Sequence, residues 1–436
     1  MNLGTLLSAI FFYVSIVSVL ILPTQSEFYF AFTLYSLAFG SFVLFLKSLD
    51  SKRLWMGVLL GFLVRFTLLF FFPNLSDDIY RFYWDGLLWH DGINPLMDTP
   101  TQLMKGNLLE SDIYDKLYLQ LNSKDYFTVY PPICQFFFWA AANFSNILNA
   151  SIFIKCIFLL ADICTYFGLV KLLNHFKISS KFALIYFLNP LIITEFVGNL
   201  HFESLMICAL IWCLYFLAQG KSAIGGLFYG IAILVKLIPL MFGPILLAYT
   251  YKRKNWKSFF SVAGLMFLMG FSIQFYGVEV SHFASSLDLY FRSFEFNASV
   301  YYGLRQLGQW FSGYNQISIL GPFLGVVTLG LILKISIDYA DTIRDVVKGM
   351  SIIIFLYLIF ATTVHPWYIS TFLVLAVFNK RFLLGAIVWS YLVFLSYSAY
   401  DTVITQEHLW ALVLEYGLVF LILKMGISSN NLISSE

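Results

Sequence analysis

Apolar residues occur along this chain in long runs rather than in an alternating pattern, from near the start to residue 423. A helix that crosses the hydrocarbon core of a membrane needs about 20 predominantly apolar residues. Inside the membrane the backbone must satisfy its own hydrogen bonds, which leaves helices as the structure for such runs. The pattern therefore predicts an all-α, polytopic integral membrane protein with about 12–14 transmembrane helices.

Most of the candidate spans are joined by short connections, and two long stretches, residues 73–151 and 277–316, separate the others. They are residues 6–22, 28–46, 55–72, 152–170, 183–197, 205–217, 224–235, 237–249, 259–276, 317–333, 352–363, 367–378, 382–395 and 409–423. Residues 131–148 are also apolar, but Gln135, Asn143 and Asn146 interrupt them, and we predict a juxtamembrane helix there. Lys236, with two prolines after it, predicts two half-helices rather than one long span across residues 224–249.

This arrangement places most Lys and Arg residues in loops on one side, which the positive-inside rule assigns to the cytoplasm. The whole chain, residues 1–436, is predicted to be a single membrane domain. Residues 1–50 form its two N-terminal spans, residues 73–148 its first extracytoplasmic loop with juxtamembrane helices, and residues 277–316 its second extracytoplasmic loop. A loop as long as the first is expected to be folded and functional.

Composition agrees with the pattern, since 60% of the residues are hydrophobic and only 11% are charged. A soluble globular protein carries about 25% charged residues. The formal net charge of +2 gives no field that would attract nucleic acid. Membrane lipids are expected partners and nucleic acid is excluded.

The first loop is acidic and begins with the segment Ser76-Asp77-Asp78-Ile79-Tyr80-Arg81-Phe82-Tyr83-Trp84-Asp85-Gly86. Ser76 is predicted to cap a surface helix, with the two aspartates in its first turn. Asp78, Arg81 and Asp85 would then share one helix face. A membrane-anchoring helix with solvated carboxylates explains the segment equally well when it is taken alone.

Other polar clusters are predicted to reach the same side of the membrane. Each has a structural explanation by itself, but their convergence beside the acidic loop predicts a site for a polar, anionic ligand. They are Tyr130-Pro131-Pro132, Asn199-Leu200-His201-Phe202-Glu203, Lys236, Phe294-Glu295-Phe296-Asn297-Ala298-Ser299-Val300-Tyr301-Tyr302 and His365-Pro366-Trp367-Tyr368. Within the bilayer, Arg65 and Asp162 are expected to pair with each other.

The Ser76–Gly86 segment, together with Gly92-Ile93-Asn94-Pro95, Tyr130-Pro131-Pro132, Phe294-Glu295-Phe296-Asn297 and His365-Pro366-Trp367-Tyr368, resembles the polytopic GT-C glycosyltransferases. The strongest similarity is to bacterial polyprenol-phosphate-mannose-dependent α-mannosyltransferases, and it runs from about Trp55 to Tyr368. The resemblance implies a GT-C-like helical bundle. It also implies an inverting enzyme that moves a sugar, mannose above all, from a polyprenyl-phosphate-sugar donor to an acceptor hydroxyl on the extracytoplasmic face.

The resemblance also implies a general base at the start of the first loop, which in this chain is Asp77 or Asp78. Direct displacement needs groups that stabilise the departing phosphate, and Arg81, Lys236 and His365 are the candidates. A divalent cation, Mg²⁺ or Mn²⁺, is not chemically required, although Asp77 and Asp78 are the residues that would hold one. The candidates for substrate binding are Trp84, Asp85, His201, Glu203, Glu295, Asn297, Tyr302, Trp367 and Tyr368.

The acceptor is expected to be a glycan, a glycolipid or a protein, and the resemblance implies a multi-pass protein of the bacterial inner membrane. Two other functions share these features. A flippase or transporter of lipid-linked sugars would place charged residues along a path at the bilayer midplane, often in repeated halves. A ligase that joins preformed lipid-linked glycans would share the donor chemistry.

Overall fold

The computed structural model describes residues 3–106, 109, 112–278, 280–400 and 406–433. Glu110 of the acidic loop lies outside these residues. The described chain is built from helices, and its β pairing is an isolated parallel bridge between Phe296 and Thr363. This architecture confirms the predicted all-α polytopic fold.

The N-terminal part holds two long helices that pack against each other, a third helix, and the folded first loop. These elements are α1 (Leu3–Ile21), α2 (Phe28–Ser48), α3 (Leu54–Leu68), α4 (Asp78–His90), α5 (Pro100–Lys105), α6 (Asp112–Gln120) and α7 (Pro132–Ala141), with a 3₁₀ turn at Ser51–Arg53.

The central part is the most buried. It contains α8 (Ile147–His175), α9 (Ala183–Phe187), α10 (Pro190–Ile193), α11 (Glu203–Ala218), α12 (Ser222–Val235), α13 (Gly243–Lys252) and α14 (Trp256–Gln274). Short 3₁₀ segments lie at Ser180–Phe182 and Ile238–Phe242, and Thr194–Gly198 is a π-helical turn.

The C-terminal part contains the second loop, with its own two helices, and the last spans. Its helices are α15 (Val280–Arg292), α16 (Val300–Ser312), α17 (Ile317–Asp338), α18 (Ile343–Phe360), α19 (Ile369–Ala376), α20 (Lys380–Leu392) and α21 (Leu409–Ile433). Segments of 3₁₀ helix lie at Pro366–Tyr368 and Val393–Tyr400.

Within the described residues, six helices are long and apolar enough to cross a membrane, or seven if one bent pair counts as a single span. Several shorter apolar helices accompany them, including α3, α11 and α12. The chain is therefore a multi-pass integral membrane protein. The total of about 12–14 spans stays a prediction. A helix as short as α12 can cross the membrane only together with the segment that follows it.

Two helix breaks position the functional residues. The predicted half-helices around Lys236 are confirmed, because α12 ends at Val235 and Lys236 is extended before the 3₁₀ segment. The span predicted over residues 183–197 is not one continuous helix, since the chain bends by 50° between Ser180–Phe187 and Pro190–Gly198, and the two segments form a broken span or a re-entrant loop. Pro190 disfavours a helical conformation at the preceding Asn189, whose side chain instead accepts a hydrogen bond from the Leu191 N–H at 2.9 Å.

The first loop folds around the contact between α4 and α7. A Cβ atom at Gly86 would lie 2.1 Å from the Phe138 carbonyl oxygen, so only glycine permits this approach. Ser76 was predicted to be the N-cap, but α4 begins one residue later and Asp77 holds the cap position. The Ser76 hydroxyl still accepts a hydrogen bond from the Asp78 N–H at 3.3 Å.

The predicted pair of buried charges is confirmed. Arg65 Nε donates to Asp162 Oδ2 at 2.7 Å, and both side chains are fully buried. The other carboxylate oxygen of Asp162 accepts hydrogen bonds from the hydroxyl groups of Tyr186, at 2.7 Å, and Ser204, at 2.9 Å. The pair thus joins α3, α8, α9 and the start of α11, next to the bend at Asn189.

Candidate functional site

Asp77 and Asp78 stand at the start of α4 in different surroundings. Asp78 Oδ2 accepts a hydrogen bond from the Tyr130 hydroxyl at 3.3 Å and lies 3.6 Å from His201 Nε2. Asp77 is exposed. Partial burial of its carboxyl, followed by the charge of Asp78, raises the pKa of Asp77 above the usual value. Asp78 is therefore held by partners, whereas Asp77 is open to a ligand.

His201 lies under Asp78 and is almost completely buried. Its Nδ1 lies 3.1 Å from Glu195 Oε2, and its ring stacks on Trp367 with the ring centres 3.6 Å apart. Trp367 stacks in turn on His365 at 4.5 Å. Phe296, from the second loop, also stacks on His365, with the ring centres 5.1 Å apart. This stack of four rings brings the second loop, the segment after the broken helix and the turn before α19 together.

Lys236 reaches the same cluster from the break after α12. Its ammonium group forms an ion pair with Glu203 Oε1 at the start of α11 and lies 5.2 Å from the centre of the Tyr368 ring. Glu203 is fully buried, whereas about a quarter of the Lys236 side chain is exposed. The ammonium group thus remains accessible to a ligand while its charge is balanced.

His365 is neutral near pH 7. Burial, and then the positive charges of Lys236 and His201, lower the pKa of His365 to about 3. As a candidate group for the donor phosphate, His365 therefore offers a neutral ring rather than a positive charge. Its Nδ1 is buried and has no hydrogen-bond partner among the described residues.

The structure thus brings together many of the residues predicted from the sequence. They surround one region between the start of α4, the break before α11, the break after α12 and the turn before α19. For brevity we call them the central cluster: Asp77, Asp78, His201, Glu203, Lys236, His365, Trp367 and Tyr368.

Arg81, Trp84 and Asp85 lie within the folded loop instead. Arg81 Nε donates to Asp85 Oδ1 at 2.7 Å, and its Nη1 donates to the carbonyl groups of Ser123 and Tyr126, each at 3.1 Å. Trp84 is completely buried against the edge of Tyr114. These three side chains hold the loop together, and their predicted contacts with substrate stay predictions.

Glu295, Asn297 and Tyr302 form a second polar cluster with two C-terminal carboxylates. Glu407 accepts hydrogen bonds from the Asn297 N–H and the Tyr302 hydroxyl. Glu415 accepts one from the side-chain amide of Asn297 at 3.2 Å. The other acid, Glu295, pairs with Arg305 and accepts the Tyr301 hydroxyl at 2.6 Å. Since the bridge between Phe296 and Thr363 ties this cluster to His365, it borders the central one.

Sequence reasoning missed Glu195, Glu407 and Tyr397. Glu195 lies inside an apolar segment, where a carboxylate is costly. That position alone could have marked it as a candidate functional residue. Nothing in the sequence associates Glu407 with the second loop, more than a hundred residues earlier.

Asp77 and Asp78 are also the residues that would hold a divalent cation. Among the described residues, no three His, Cys, Asp or Glu side chains are grouped as ligands for one metal ion. Mg²⁺, however, is commonly bound by one or two carboxylates together with substrate phosphate oxygens. The open carboxylate of Asp77 beside Asp78 fits that mode of binding.

The all-helical membrane fold, with an acidic folded loop beside a cluster of carboxylates, histidines and a lysine, agrees with the fold that the resemblance to GT-C polytopic glycosyltransferases implies, and the family match supports that class. The family model described as "Alpha-(1->6)-mannopyranosyltransferase, N-terminal domain" matches residues 29–252, and the chain belongs to this family. The match includes Asp77, Asp78, His201, Glu203 and Lys236. Glu295 and His365 lie beyond it.

Two curated yeast proteins are similar to shorter parts of the chain. "GPI mannosyltransferase 1" of Saccharomyces cerevisiae is 36% identical over 107 residues, which are 23% of this chain and 26% of that protein. "GPI mannosyltransferase 1" of Kluyveromyces lactis is 34% identical over 140 residues, 29% of this chain and 34% of that protein. The chain thus matches between a quarter and about a third of the length of these relatives.

Proposed function

We propose that this protein transfers a mannosyl group, with inversion, from a polyprenyl-phosphate donor to an acceptor hydroxyl at the extracytoplasmic face of the membrane. The family and the names of the yeast relatives support mannose as the sugar. The observation that carries the proposal is the set of unpaired polar atoms in the central cluster. Glu203 Oε2 and His365 Nδ1 are buried and have no hydrogen-bond partner among the described residues.

Unpaired buried polar atoms are costly, so a group of them around one lysine suggests that a polar ligand completes the site. Lys236 supplies the positive charge for the donor phosphate in this proposal. His365, being neutral, supplies a hydrogen bond rather than a charge. Glu203, which already pairs with Lys236, is placed to accept a hydrogen bond from a sugar hydroxyl through its free oxygen.

Asp77 is the better candidate for the general base. A base must be open to the acceptor hydroxyl, and its pKa should approach the working pH. Asp77 is exposed and has a raised pKa, whereas Asp78 is engaged by Tyr130 and approached by His201. We therefore assign proton removal to Asp77 and a positioning role to Asp78.

The first experiment is sugar transfer by the purified protein in detergent. Radiolabelled polyprenyl-phosphate mannose is offered with a membrane lipid extract, with and without EDTA. Label in a new product is expected. Loss of transfer in EDTA, reversed by Mg²⁺ or Mn²⁺, would show that a divalent cation is required. Equal transfer in both lanes would remove the metal from the proposal.

Binding of the donor without any transfer, tested with a panel of lipid-phosphate sugars, would contradict the proposal and favour a flippase. Transfer of a preformed glycan instead of a single sugar would favour a ligase. An added glycolipid, cell-wall glycan or protein acceptor in the same assay then identifies the acceptor class.

Lys236→Ala is expected to weaken donor binding about 10- to 100-fold, because it removes a charge-assisted contact with the phosphate. The measurement is equilibrium binding of radiolabelled donor to the purified variant. Lys252→Ala is a matched control, since Lys252 is half-exposed and pairs with Asp341 at 2.7 Å outside the central cluster.

Removing Lys236 also leaves the buried Glu203 without its partner. The double variant Lys236→Ala/Glu203→Gln removes that charge, and the single variant Glu203→Gln measures what the carboxylate contributes to donor binding. An affinity loss in the double variant beyond that of Glu203→Gln comes from the phosphate contact. If the double variant binds donor as tightly as Glu203→Gln does, Lys236 has no part in phosphate binding.

A further inference from the structure

Glu195 is a fully buried carboxylate in the π-helical turn Thr194–Gly198, next to the site. The Tyr397 hydroxyl lies within hydrogen-bonding distance of both its oxygens, at 3.0 and 3.2 Å. The side-chain amide of Asn199 donates to Oε2 at 3.3 Å and to the Tyr397 hydroxyl at 2.9 Å. Glu195 is thus fixed from two directions, and its Oε2 faces His201 Nδ1 at 3.1 Å.

The backbone between Glu195 and His201 is held in an unusual conformation. Leu200 has a φ angle of +68°, in the left-handed region that bulky residues rarely adopt. Its N–H donates to the Phe196 carbonyl at 3.0 Å, and the His201 N–H donates to the Glu195 carbonyl at the same distance. Such conformations persist only where the surroundings impose them, and they concentrate at functional sites. The turn directs the imidazole of His201 back toward Glu195.

The other side of the imidazole faces Asp78 in the first loop. Nε2 lies 3.6 Å from Asp78 Oδ2, and Trp367 fixes the plane of the ring by stacking on it. Neither ring nitrogen is aligned for a hydrogen bond in this structure. Hydrogen bonds between catalytic groups are often long before substrate binds and shorten in the substrate complex.

We propose that Glu195 is a positioning residue for transfer: it orients the His201 imidazole so that Nε2 holds Asp78, and so the start of α4, in its working place. This inference rests on the proposed transferase activity. Packing alone gives no reason for the arrangement, because a carboxylate inside an apolar segment is costly. Instead, the contacts run from Glu195 through His201 to Asp78, which is next in sequence to the proposed base, Asp77.

The test is a double-mutant cycle between Glu195→Gln and His201→Ala, read as kcat and KM for polyprenyl-phosphate mannose. Glutamine keeps the size of the side chain and a hydrogen bond with Tyr397. Glu195→Gln is expected to lower kcat about 30-fold and to change KM by no more than about twofold, because it disturbs the geometry of the base rather than donor binding. In the His201→Ala background, Glu195→Gln should have almost no further effect on kcat.

A milder pair of variants covers the case in which Glu195→Gln does not fold. Tyr397→Phe removes one hydroxyl that holds Glu195 and is expected to lower kcat about threefold to tenfold. Tyr35→Phe removes a comparable buried hydroxyl, bonded to the Ser390 carbonyl at 2.7 Å, and should leave kcat unchanged. Tyr35 also packs on Phe394 in the same C-terminal segment as Tyr397, so the two variants disturb packing similarly.

The outcomes separate this inference from the proposed function. If the wild type transfers mannose but the Glu195→Gln and His201→Ala effects multiply, the two residues act independently and the positioning role is wrong. Equal losses of kcat in Tyr397→Phe and Tyr35→Phe would also overturn it. If the wild type transfers no sugar, the transferase proposal fails and this inference fails with it.

Discussion

Asp77→Asn is expected to lower sugar transfer about 100- to 10,000-fold, because general base catalysis contributes about that much. The amide has nearly the same size and cannot take the proton from the acceptor hydroxyl. Since Asp77 is exposed and at the cap of α4, the fold should tolerate the change. Donor binding, measured at equilibrium, should stay close to that of the wild type.

Asp78→Asn is the matched comparison at the adjacent position. An amide retains an acceptor for the Tyr130 hydroxyl but loses the charge that faces His201. We expect a smaller loss of kcat than for Asp77→Asn. A severe loss in Asp78→Asn with high activity in Asp77→Asn would exchange the two roles, and full activity in both would remove the general base from the mechanism.

The pH dependence of transfer gives a second view of the same residue. The base works when deprotonated, so activity should rise as the pH passes upward through the pKa of Asp77. Because partial burial and Asp78 raise that pKa, the rise should lie above the range of an ordinary aspartate. Asp77→Asn should abolish this acidic limb, whereas Lys236→Ala should retain it.

Much of the architecture was predictable because membrane helices leave strong signals in a sequence. Apolar runs located the long helices, and the cost of unpaired charge in hydrocarbon predicted the pairing of Arg65 with Asp162. Lys236 and the prolines after it predicted the break that exposes an ammonium group at the central cluster. Each prediction depended on a local pattern with a large energetic consequence.

The remaining features depend on contacts between distant segments. The bend at Pro190 was missed because the segment is apolar on both sides of it, and hydropathy averages over a helix break. Tyr397 meets Glu195 across about two hundred residues of sequence. Helix-face reasoning placed Asp78, Arg81 and Asp85 together, yet the structure uses Arg81 and Asp85 inside the loop, where burial selects an ion pair.

Arg65→Ala is expected to destabilise the fold by about 3–5 kcal/mol, because it leaves the Asp162 carboxylate buried without its cation. Arg65→Ala should also disturb neighbouring segments that the ion pair helps to hold. Arg65 Nη1 also donates to the Phe187 carbonyl at 2.7 Å, at the end of α9 just before the bend. The Ser204 hydroxyl, which donates to Asp162, follows Glu203 directly in sequence.

The measurement is thermal unfolding of purified variants in one detergent, combined with the transfer assay. Lys252→Ala is the control, since it breaks an exposed ion pair of a kind that contributes at most about 1 kcal/mol. The double variant Arg65→Met/Asp162→Leu should recover much of the lost stability, because two apolar side chains replace a buried pair without leaving a charge. It should recover less of the activity, since the apolar pair cannot replace the hydrogen bonds with Phe187 and Ser204 that hold the end of α9 and the start of α11. Full recovery of transfer in the double variant would show that the pair only balances charge and does not position these segments.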